Sequence, residues 1–471
     1  MEQKVVTRFA PSPTGFMHVG NLRTALYAWL LARKYKGIFI LRIEDTDKER
    51  EVEGATEHIL KVLNWVGINW DEGPDVGGSH APYVQSERLD LYKKYAEILI
   101  DKGLAYPDPY TTEEVDGFRE KAELEGRPFL FREHRPENFE KWDGTKPLRF
   151  KVPEIKNYHW HDLVYGDLSA GSEALDDFIL IKSDGFPTYN FCHIVDDIEM
   201  GITHVIRGQE YISSIPKFLS IYEALGADLP SFVCLPHIMG KNGKNKLSKR
   251  DGAKDILEYK VEGYLPEALL NYLALQGWHP KDDQEIFTVD ELIKSFDVNR
   301  VQKAGAQWDD DKLNWINKEH MKKLSADELQ DEILKWLPEK MQNPKIIPII
   351  FERITRFGDI KGMIEKGELD FFFKQPEYSK EKLIFKNTPA EKILSNLEQA
   401  IKKLKDLDGS IFTAENVKKV LMGIAEGLES KGELLHPVRF ALSGLDKSPD
   451  PFIIAEILGK NETLSRLQKA I

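Results

Sequence analysis

Cysteine is scarce in this sequence of 471 residues: Cys192 and Cys234 are the only two, and no CxxC pair occurs. This scarcity argues against a thiolate zinc site and against the disulfide framework of a small secreted protein. Long apolar runs are also missing, since no stretch approaches the roughly twenty residues of a membrane-spanning helix. The first residues lack the basic stretch and apolar core of a signal peptide. We therefore expect a cytoplasmic protein without a membrane partner.

Basic residues are fewer than acidic ones, 65 against 78, and the net charge is −13 at pH 7. A nucleic-acid partner usually requires a basic surface, so the negative net charge argues against such a partner. One segment opposes this trend: residues 241–254 (KNGKNKLSKRDGAK) contain six lysine or arginine residues. The local field of this segment can oppose that of the whole chain. On charge alone, an ordinary solvated loop explains the segment equally well.

The beginning of the chain has the pattern of a β-α-β unit. An apolar strand is predicted over residues 5–10, a helix with apolar periodicity over 21–35, and a second strand over 38–43. Such a unit predicts a parallel sheet with right-handed crossovers.

The composition and patterning of the sequence change twice further along the chain. Residues 101–176 combine several prolines with dense charge, which is typical of an inserted module. Strand patterns resume at 178–181 and 203–206, where we expect the chain to return and complete the interrupted sheet. From about Met321 onward the sequence is rich in Lys, Glu and Leu with helical periodicity, which predicts a separate α-helical region.

The segment RFAPSPTGFMHVGN (residues 8–21) joins the first predicted strand to the first helix. A helix start offers free N–H groups and the positive end of a dipole, so a nucleotide phosphate fits there. Gly15 and Gly20 allow the backbone to approach closely, and His18 can donate to a phosphate oxygen. Neither the P-loop nor the GxGxxG fingerprint is present. A single histidine beside a helix start is more often structural, so this segment is weak by itself.

A second segment, KLSKR (residues 246–250), lies far downstream in a Gly/Asn-rich loop. Its two lysines, Lys246 and Lys249, add positive charge where a pyrophosphate would leave. A loop of this kind suits groups that act mainly in the transition state.

Together the two segments resemble the HIGH and KMSKS signatures of class I aminoacyl-tRNA synthetases, with Asn21 and Leu247 as the departures from the common letters. Further segments resemble the bacterial glutamyl-tRNA synthetase family in order and spacing, and they are LRIEDTD (41–47), SDGFPTYNF (183–191), VDD (195–197) and VIRGQEY (205–211). The resemblance covers most of the chain.

The resemblance implies an α/β fold: a doubly wound, parallel-sheet nucleotide-binding catalytic domain with an inserted α+β module, followed by C-terminal all-α anticodon-binding domains. The expected boundaries are 1–85 and 178–210 for the catalytic domain, 86–177 for the acceptor-end-binding insertion, 211–318 for the stem-contact region with the KLSKR loop, and 319–375 and 376–471 for the helical domains.

Two arginines in apolar strands independently favour an acidic amino acid as substrate, because an arginine fork binds a carboxylate through two hydrogen bonds. These are Arg8 and Arg207. The alternative is that each pairs with a nearby acidic side chain such as Glu210 or Asp47.

By resemblance, glutamate would be contacted by Arg8, Ser12, Tyr189 and Arg207, and its α-ammonium would be held by Glu44. His193 stands where many relatives carry an amide, which leaves it as a polar residue at the edge of the pocket.

The resemblance also implies ATP with Mg²⁺, bound and activated by His18, Gly20, Asn21, Lys246, Ser248 and Lys249. Glutamate would attack the α-phosphate of ATP, and a ribose hydroxyl of tRNA(Glu) would then take the glutamyl group. The zinc ligands that some relatives carry at the start of the insertion are replaced by residues 105–110 (AYPDPY), so no structural zinc is expected. We expect a monomer.

In the helical region, Arg356 is expected by resemblance to accept the C and reject the G that distinguish glutamate from glutamine anticodons. A surface arginine packed on Phe357 is the alternative.

Three other functions remain open at this point. A paralogue that glutamylates a modified tRNA base would lack the roughly 150 helical residues after Met321. A small-molecule adenylyltransferase would not need the insertion. A non-catalytic RNA-binding descendant would not need His18, Glu44 or the two lysines.

Overall fold

A computed structural model describes residues 4–172, 175–247 and 254–471 of the chain. Its strands are β1 (Val6–Phe9), β2 (Ile38–Leu41), β3 (Ala105–Pro107), β4 (Leu148–Phe150), β5 (Tyr158–Asp162), β6 (Gly166–Ala170), β7 (Ile179–Ile181), β8 (His204–Gly208) and β9 (Ser231–Leu235).

The α-helices of the same residues are α1 (Val19–Lys34), α2 (Ala55–Val66), α3 (Leu89–Asp101), α4 (Thr112–Leu124), α5 (Tyr189–Glu199), α6 (Ile215–Leu225), α7 (Ile256–Val261), α8 (Pro266–Ala274), α9 (Val289–Ser295), α10 (Asp310–Met321), α11 (Ala326–Trp336), α12 (Ile347–Arg353), α13 (Asp359–Glu365), α14 (Ala390–Lys405), α15 (Ala414–Ala425), α16 (Gly432–Ser443) and α17 (Pro451–Ala470). None of the described helices is long and apolar enough to cross a membrane.

The chain forms two compact units, of which the first comprises Met1–Val261 and Leu265–His320. Its main sheet has the order β2-β1-β8-β9-β5-β6, and all neighbouring pairs are parallel except β5 and β6. The chain leaves β1 toward β2 on one side and later returns to β8 on the other. This reversal is the topological switch point at which open parallel sheets bind ligands, outside the carboxyl ends of their strands. The predicted fold class is confirmed.

The first β-α-β unit forms as its sequence pattern predicts. The β1 and β2 strands pair in parallel with Arg8 opposite Ile40. Helix α1 is buried over most of its circumference because it packs on this sheet with one face and on α8 and α9 with another. The Tyr27 hydroxyl, for example, donates to the carbonyl oxygen of Ala274 at 2.9 Å. This packing fixes the start of α1 relative to the end of β1.

Two strand pairings differ from the expectation. The segment at 178–181 is a strand, but β7 pairs with β4 in a small antiparallel sheet of order β3-β4-β7 and does not rejoin the main sheet. The strand that pairs with β1 is β8, which overlaps the segment predicted at 203–206. The hairpin β5-β6 extends the main sheet beyond β9. It lies in the range 86–177, which was expected to form the insertion and not part of the main sheet. Strand patterns in a sequence do not specify the partner strand, because pairing depends on contacts distant along the chain.

The second unit comprises Glu262–Tyr264 and Met321–Ile471 and is helical in its described secondary structure. Its first full helix, α11, begins with a capping box in which Ser325 and Glu328 satisfy each other's backbone N–H groups. Helices α14 to α17 pack against one another around buried leucine and isoleucine side chains such as Leu397 and Ile454. The expected boundaries of the individual domains stay predictions.

Candidate active site

A cavity of about 1010 Å³ opens at the carboxyl ends of β1, β2, β8 and β9. Most of the site residues expected from the sequence line it, namely Arg8, Ser12, His18, Gly20, Asn21, Glu44, Tyr189, Arg207 and Lys246. Ser248 and Lys249 lie outside the described residues, and Arg356 belongs to the helical unit. Residues almost 240 positions apart in the sequence thus share one cavity, whereas their individual roles stay predictions.

The start of α1 forms one wall of this cavity. His18 is the N-cap residue, and its Nδ1 accepts a hydrogen bond from the Gly20 N–H at 3.0 Å. The Asn21 side chain accepts in return from the His18 N–H at 3.4 Å. Because Nδ1 is an acceptor, the neutral ring carries its proton on Nε2. A Cβ atom at position 20 would lie 2.9 Å from the His18 ring, so a larger residue there would require the ring to move. Asn21, a departure from the common motif, is therefore part of the helix cap.

The opposite wall contains Arg207, whose side chain is 6% exposed. Its Nη2 donates to the Tyr189 hydroxyl, and the guanidinium lies over the rings of Tyr211 and Phe218 at 4.3 Å and 5.0 Å from their centroids. Its Nε and Nη1 are buried and have no hydrogen-bond partner in the described part of the chain. Leaving such donors unpaired costs roughly 1–3 kcal/mol, and more when the group is charged. Arg207 therefore lies in the cavity wall with a charge that no described carboxylate compensates by an ion pair.

Arg8 lies nearby but is already paired. Its Nε and Nη2 donate to the two carboxylate oxygens of Asp197 at 3.0 Å and 3.3 Å, and Nη1 donates to the Ile206 carbonyl oxygen at 3.3 Å. The alternative of an acidic partner thus holds for Arg8, but the partner is neither Glu210 nor Asp47. Arg207 forms no ion pair with any acidic side chain that the structure describes.

A buried arginine behind the cavity connects these groups, and sequence reasoning did not single it out. Arg42 is fully buried, with Nη2 at 2.8 Å from Glu44 Oε1, Nη1 at 2.8 Å from Asp197 Oδ1 and Nε at 3.5 Å from Asp196 Oδ2. The available signal was its place between an apolar strand and an acidic residue in LRIEDTD. Its three carboxylate partners hold it in one orientation, and it in turn fixes Glu44 in the cavity wall.

Burial and charge act in opposite directions on these carboxyl groups. Burial alone would raise the pKa of Asp197, but the guanidinium groups of Arg8 and Arg42 outweigh it and hold that pKa well below its usual range. For Glu44 burial dominates and raises the pKa, although Arg42 opposes the shift.

The charges of this buried cluster do not balance. Arg88 is a further member, because its Nε donates to Asp196 at 2.8 Å. With the carboxyl groups ionised, the guanidinium groups of Arg8, Arg42, Arg88 and Arg207 face only Glu44, Asp196 and Asp197. One positive charge is in excess, and it belongs to Arg207. Arg207 thus favours a ligand that places a negative charge beside it.

His193 supports the wall from behind and does not line the cavity. Its Nδ1 donates to the Tyr189 carbonyl oxygen at 2.5 Å, and its ring stacks on the Tyr189 ring at 4.6 Å. Burial and the nearby Arg207 hold the pKa of His193 well below its usual range, so the ring is neutral at pH 7. The sequence expectation of a polar residue at the pocket edge is corrected: His193 is a buried support for Tyr189.

The mouth of the cavity next to α1 is basic. Lys246 is exposed there, and its backbone forms a β-bridge with Met239 while the next N–H, of Leu247, donates to the Ile238 carbonyl oxygen at 2.8 Å. Burial, and then the charge of Lys246, lower the pKa of His237 at the same edge. Within the described ranges, no group of three or more His, Cys, Asp or Glu side chains is arranged to hold a metal ion.

The helical unit has a smaller cavity of about 430 Å³ that contains Arg356. The Arg356 Nε lies 2.9 Å from Asp359 Oδ1, and its Nη1 pairs with Glu262. Its guanidinium also lies 5.5 Å from the centroid of the Tyr264 ring. Arg356 is therefore half-buried in an acidic and aromatic setting, and it is not a helix-surface arginine.

A parallel sheet with its ligand cavity at the switch point, a capped helix start in that cavity and an appended helical unit are the parts of a class I aminoacyl-tRNA synthetase. The family model described as "tRNA synthetases class I (E and Q), catalytic domain" matches residues 4–315, and one described as "Anticodon binding domain" matches residues 307–471. The chain belongs to the glutamyl-tRNA synthetase family of this class.

The relatives agree in length as well as in sequence. A curated glutamate–tRNA ligase of Clostridium botulinum is 46% identical over 100% of this chain and 99% of its own length, and that of Clostridium kluyveri is 45% identical over 99% and 98%. Among solved structures, a glutamate tRNA ligase from Elizabethkingia meningosepticum in complex with its amino acid is 38% identical with a TM-score of 0.89, covering 99% of both chains. The similarity therefore extends over both units.

Proposed function

We propose that this protein is a glutamate–tRNA ligase, which activates L-glutamate with ATP and transfers it to the 3′-terminal adenosine of tRNA(Glu), releasing diphosphate and AMP. The observation that carries the choice of substrate is Arg207, a buried guanidinium with two unpaired donors in the cavity wall. A side-chain carboxylate bound beside Arg207 would cancel the excess charge of the cluster. The side-chain amide of glutamine is neutral and would leave this charge uncompensated.

The remaining wall residues complete a glutamate subsite. Tyr189 contributes a hydroxyl that burial keeps protonated, because burial raises its pKa well above the usual range. Glu44, held by Arg42, is the acceptor for the α-ammonium group. Arg8 is already paired with Asp197, so it contributes positive potential and the N–H groups that this pair does not use. Ser12 is exposed and lies at the rim of the cavity.

The activation step needs no covalent enzyme nucleophile. The α-carboxylate of glutamate attacks the α-phosphorus of ATP, the bond to the β-phosphate oxygen breaks, and diphosphate leaves. The developing negative charge would lie near His18, the positive end of the α1 dipole and Lys246, and both His18 and Lys246 line the cavity. Mg²⁺ bound with ATP supplies further neutralisation of phosphate charge. In the second step a terminal ribose hydroxyl attacks the glutamyl carbonyl carbon, and AMP leaves.

The proposed activity is tested by ATP–diphosphate exchange with the purified protein, with and without tRNA. We expect exchange that depends on glutamate and is not supported by glutamine or aspartate. Exchange with another amino acid in preference to glutamate would contradict the proposal. The comparison with and without tRNA also decides whether activation waits for the tRNA.

Lys246→Ala is expected to lower the rate of glutamate-dependent exchange about tenfold to a hundredfold, with a smaller effect on the KM for glutamate. The reason is that Lys246 faces charge that develops on the leaving diphosphate. The matched control is Lys244→Ala, which removes an exposed lysine from the same loop that does not line the cavity. Equal rates for Lys246→Ala and the control would contradict the assignment of Lys246 to the ATP subsite.

Arg356→Gln is expected to relax discrimination between tRNA species, so that the variant charges tRNA(Gln) while the parent prefers tRNA(Glu). A guanidinium lining a small cavity can hold a flipped cytosine by hydrogen bonds and stacking and exclude the larger guanine. Charging of both purified tRNAs is measured with the parent, with Arg356→Gln and with Arg353→Gln, which removes a neighbouring charge from the same cavity. Efficient charging of tRNA(Gln) by the parent would contradict this assignment without affecting the main activity.

The protein is further proposed to act as a monomer in the cytoplasm, without a structural zinc ion. Sedimentation at enzyme concentrations, together with metal analysis of active protein, tests the first and last of these proposals. A stable dimer or a stoichiometric zinc ion would contradict them.

A further inference from the structure

The first motif segment pairs through its backbone with residues that follow the second motif segment. Asp255, which follows the KLSKR segment by five residues, forms an antiparallel β-bridge with His18. The N–H of the next residue, Ile256, donates to the Met17 carbonyl oxygen at 3.1 Å. Any displacement of Asp255 therefore displaces the N-cap of α1 in the cavity wall.

A histidine from a third part of the chain holds this junction. His58, in α2, places Nε2 at 2.9 Å and 2.7 Å from the two carboxylate oxygens of Asp255. The Phe16 ring stacks on the His58 ring with centroids 4.6 Å apart and an interplanar angle of 25°, although 53% of Phe16 is exposed. His58 thus contacts both the segment before His18 and the residue that pairs with His18.

Packing alone does not account for a histidine at this position. The other buried positions of α2 are Ala55, Ile59, Val62, Leu63 and Val66. An apolar side chain at position 58 would continue this face. Instead, the buried Nδ1 of His58 has no hydrogen-bond partner among the described residues, a cost of roughly 1–3 kcal/mol that an apolar residue would avoid. The contact between Nε2 and Asp255 is the interaction that offsets this cost.

We propose that His58 is a positioning residue for the activation step. It holds Asp255, and through Asp255 the backbone of Met17 and His18, in the register in which His18 lines the cavity. His58 does not line the cavity itself, so it acts only through these neighbours. The inference rests on the proposed function, because its readout is glutamate activation.

The test is a double-mutant cycle in glutamate-dependent ATP–diphosphate exchange. His58→Phe keeps a ring against Phe16 but removes the donor, and Asp255→Asn removes the carboxylate charge. Each single variant is expected to lower kcat about tenfold while the KM for glutamate stays within about twofold, because a misplaced N-cap affects the transition state more than the distant amino-acid subsite. The double variant should be no slower than the slower single variant. His58→Gln, whose amide can still donate to Asp255, should recover part of the rate.

Glu57→Gln, an exposed change on the same helix, is the matched control and should behave as the parent. A parent-like kcat for His58→Phe, or losses that multiply in the double variant, would overturn the inference. A different result would also contradict the inference: a lower kcat together with a higher KM for glutamate and a lower melting temperature, with no recovery in His58→Gln. In that case His58 is a structural residue. Failure of the proposed function is distinguishable, since the parent itself would then show no exchange with glutamate.

Discussion

Arg207→Ala is expected to reduce kcat/KM for glutamate by roughly 30-fold to several thousandfold, which corresponds to about 2–5 kcal/mol for a buried charge that loses its partner. The KM for ATP should change little. The physical reason is that the buried Arg207 guanidinium has no carboxylate partner among the described residues, so the variant would remove the charge partner of the bound glutamate side chain. Diphosphate exchange at varied glutamate and ATP concentrations measures both quantities.

Two further measurements test whether Arg207 recognises a carboxylate specifically. Arg207→Lys keeps the charge but loses the planar donor pair, so it should recover only part of the lost kcat/KM. The preference for glutamate over glutamine should also shrink in Arg207→Ala, because the uncompensated charge disfavours the neutral amide only in the parent. Unchanged kcat/KM for glutamate in Arg207→Ala would make Arg207 a structural residue.

Arg42→Met is expected to cause the largest loss of stability among single changes near the site, about 3–5 kcal/mol at pH 7. The substitution removes the cation that lies between Glu44, Asp196 and Asp197 and leaves their buried carboxylates facing one another. Urea unfolding followed by tryptophan fluorescence measures the loss. Arg33→Met is the control, because Arg33 pairs with Asp71 at the surface, where ion pairs contribute little.

The loss in Arg42→Met should depend on pH in a defined direction. In the parent, the folded-state pKa of Asp197 lies below its unfolded value, so its contribution to stability is present above the unfolded pKa and is lost as pH falls through the folded pKa. Without Arg42 the pKa values of Asp197 and Glu44 rise, because Arg42 lowers both, and protonation relieves the repulsion between the carboxyl groups in acid. The stability difference between parent and variant should therefore narrow from pH 7 to about pH 4, near the ordinary pKa of aspartate. A difference that is constant or widens over this range would contradict the account of the buried cluster.

The sequence predicted those parts of the fold and site that depend on local patterns. The β1-α1-β2 unit has its own strand and helix periodicities, so its order and approximate bounds were accessible. The helix start in the cavity wall was accessible too, because His18 and Gly20 lie within one turn of each other. Arg207 was accessible as an arginine in an apolar strand, because a buried guanidinium requires an anionic partner, either a ligand or a protein carboxylate.

The parts that the sequence did not predict depend on partners distant along the chain. Arg8 lies in the same kind of strand as Arg207, yet it is neutralised by Asp197, which is 189 positions away. The pairing of β7 with β4 was missed for the same reason, since a strand pattern indicates a strand and not its neighbour. Arg42 was quoted only as part of a motif, because its burial between three carboxylates becomes visible only when β2 and α5 are brought together.

Transfer of labelled glutamate to tRNA, measured on intact tRNA and on tRNA whose 3′-terminal diol has been oxidised with periodate, tests the central claim most directly. A ligase that esterifies the terminal ribose is predicted to label intact tRNA(Glu) in an ATP-dependent reaction and to leave oxidised tRNA unlabelled. Equal labelling of both samples would place the glutamate on a base, and absence of labelling on intact tRNA(Glu) would contradict the proposed activity altogether.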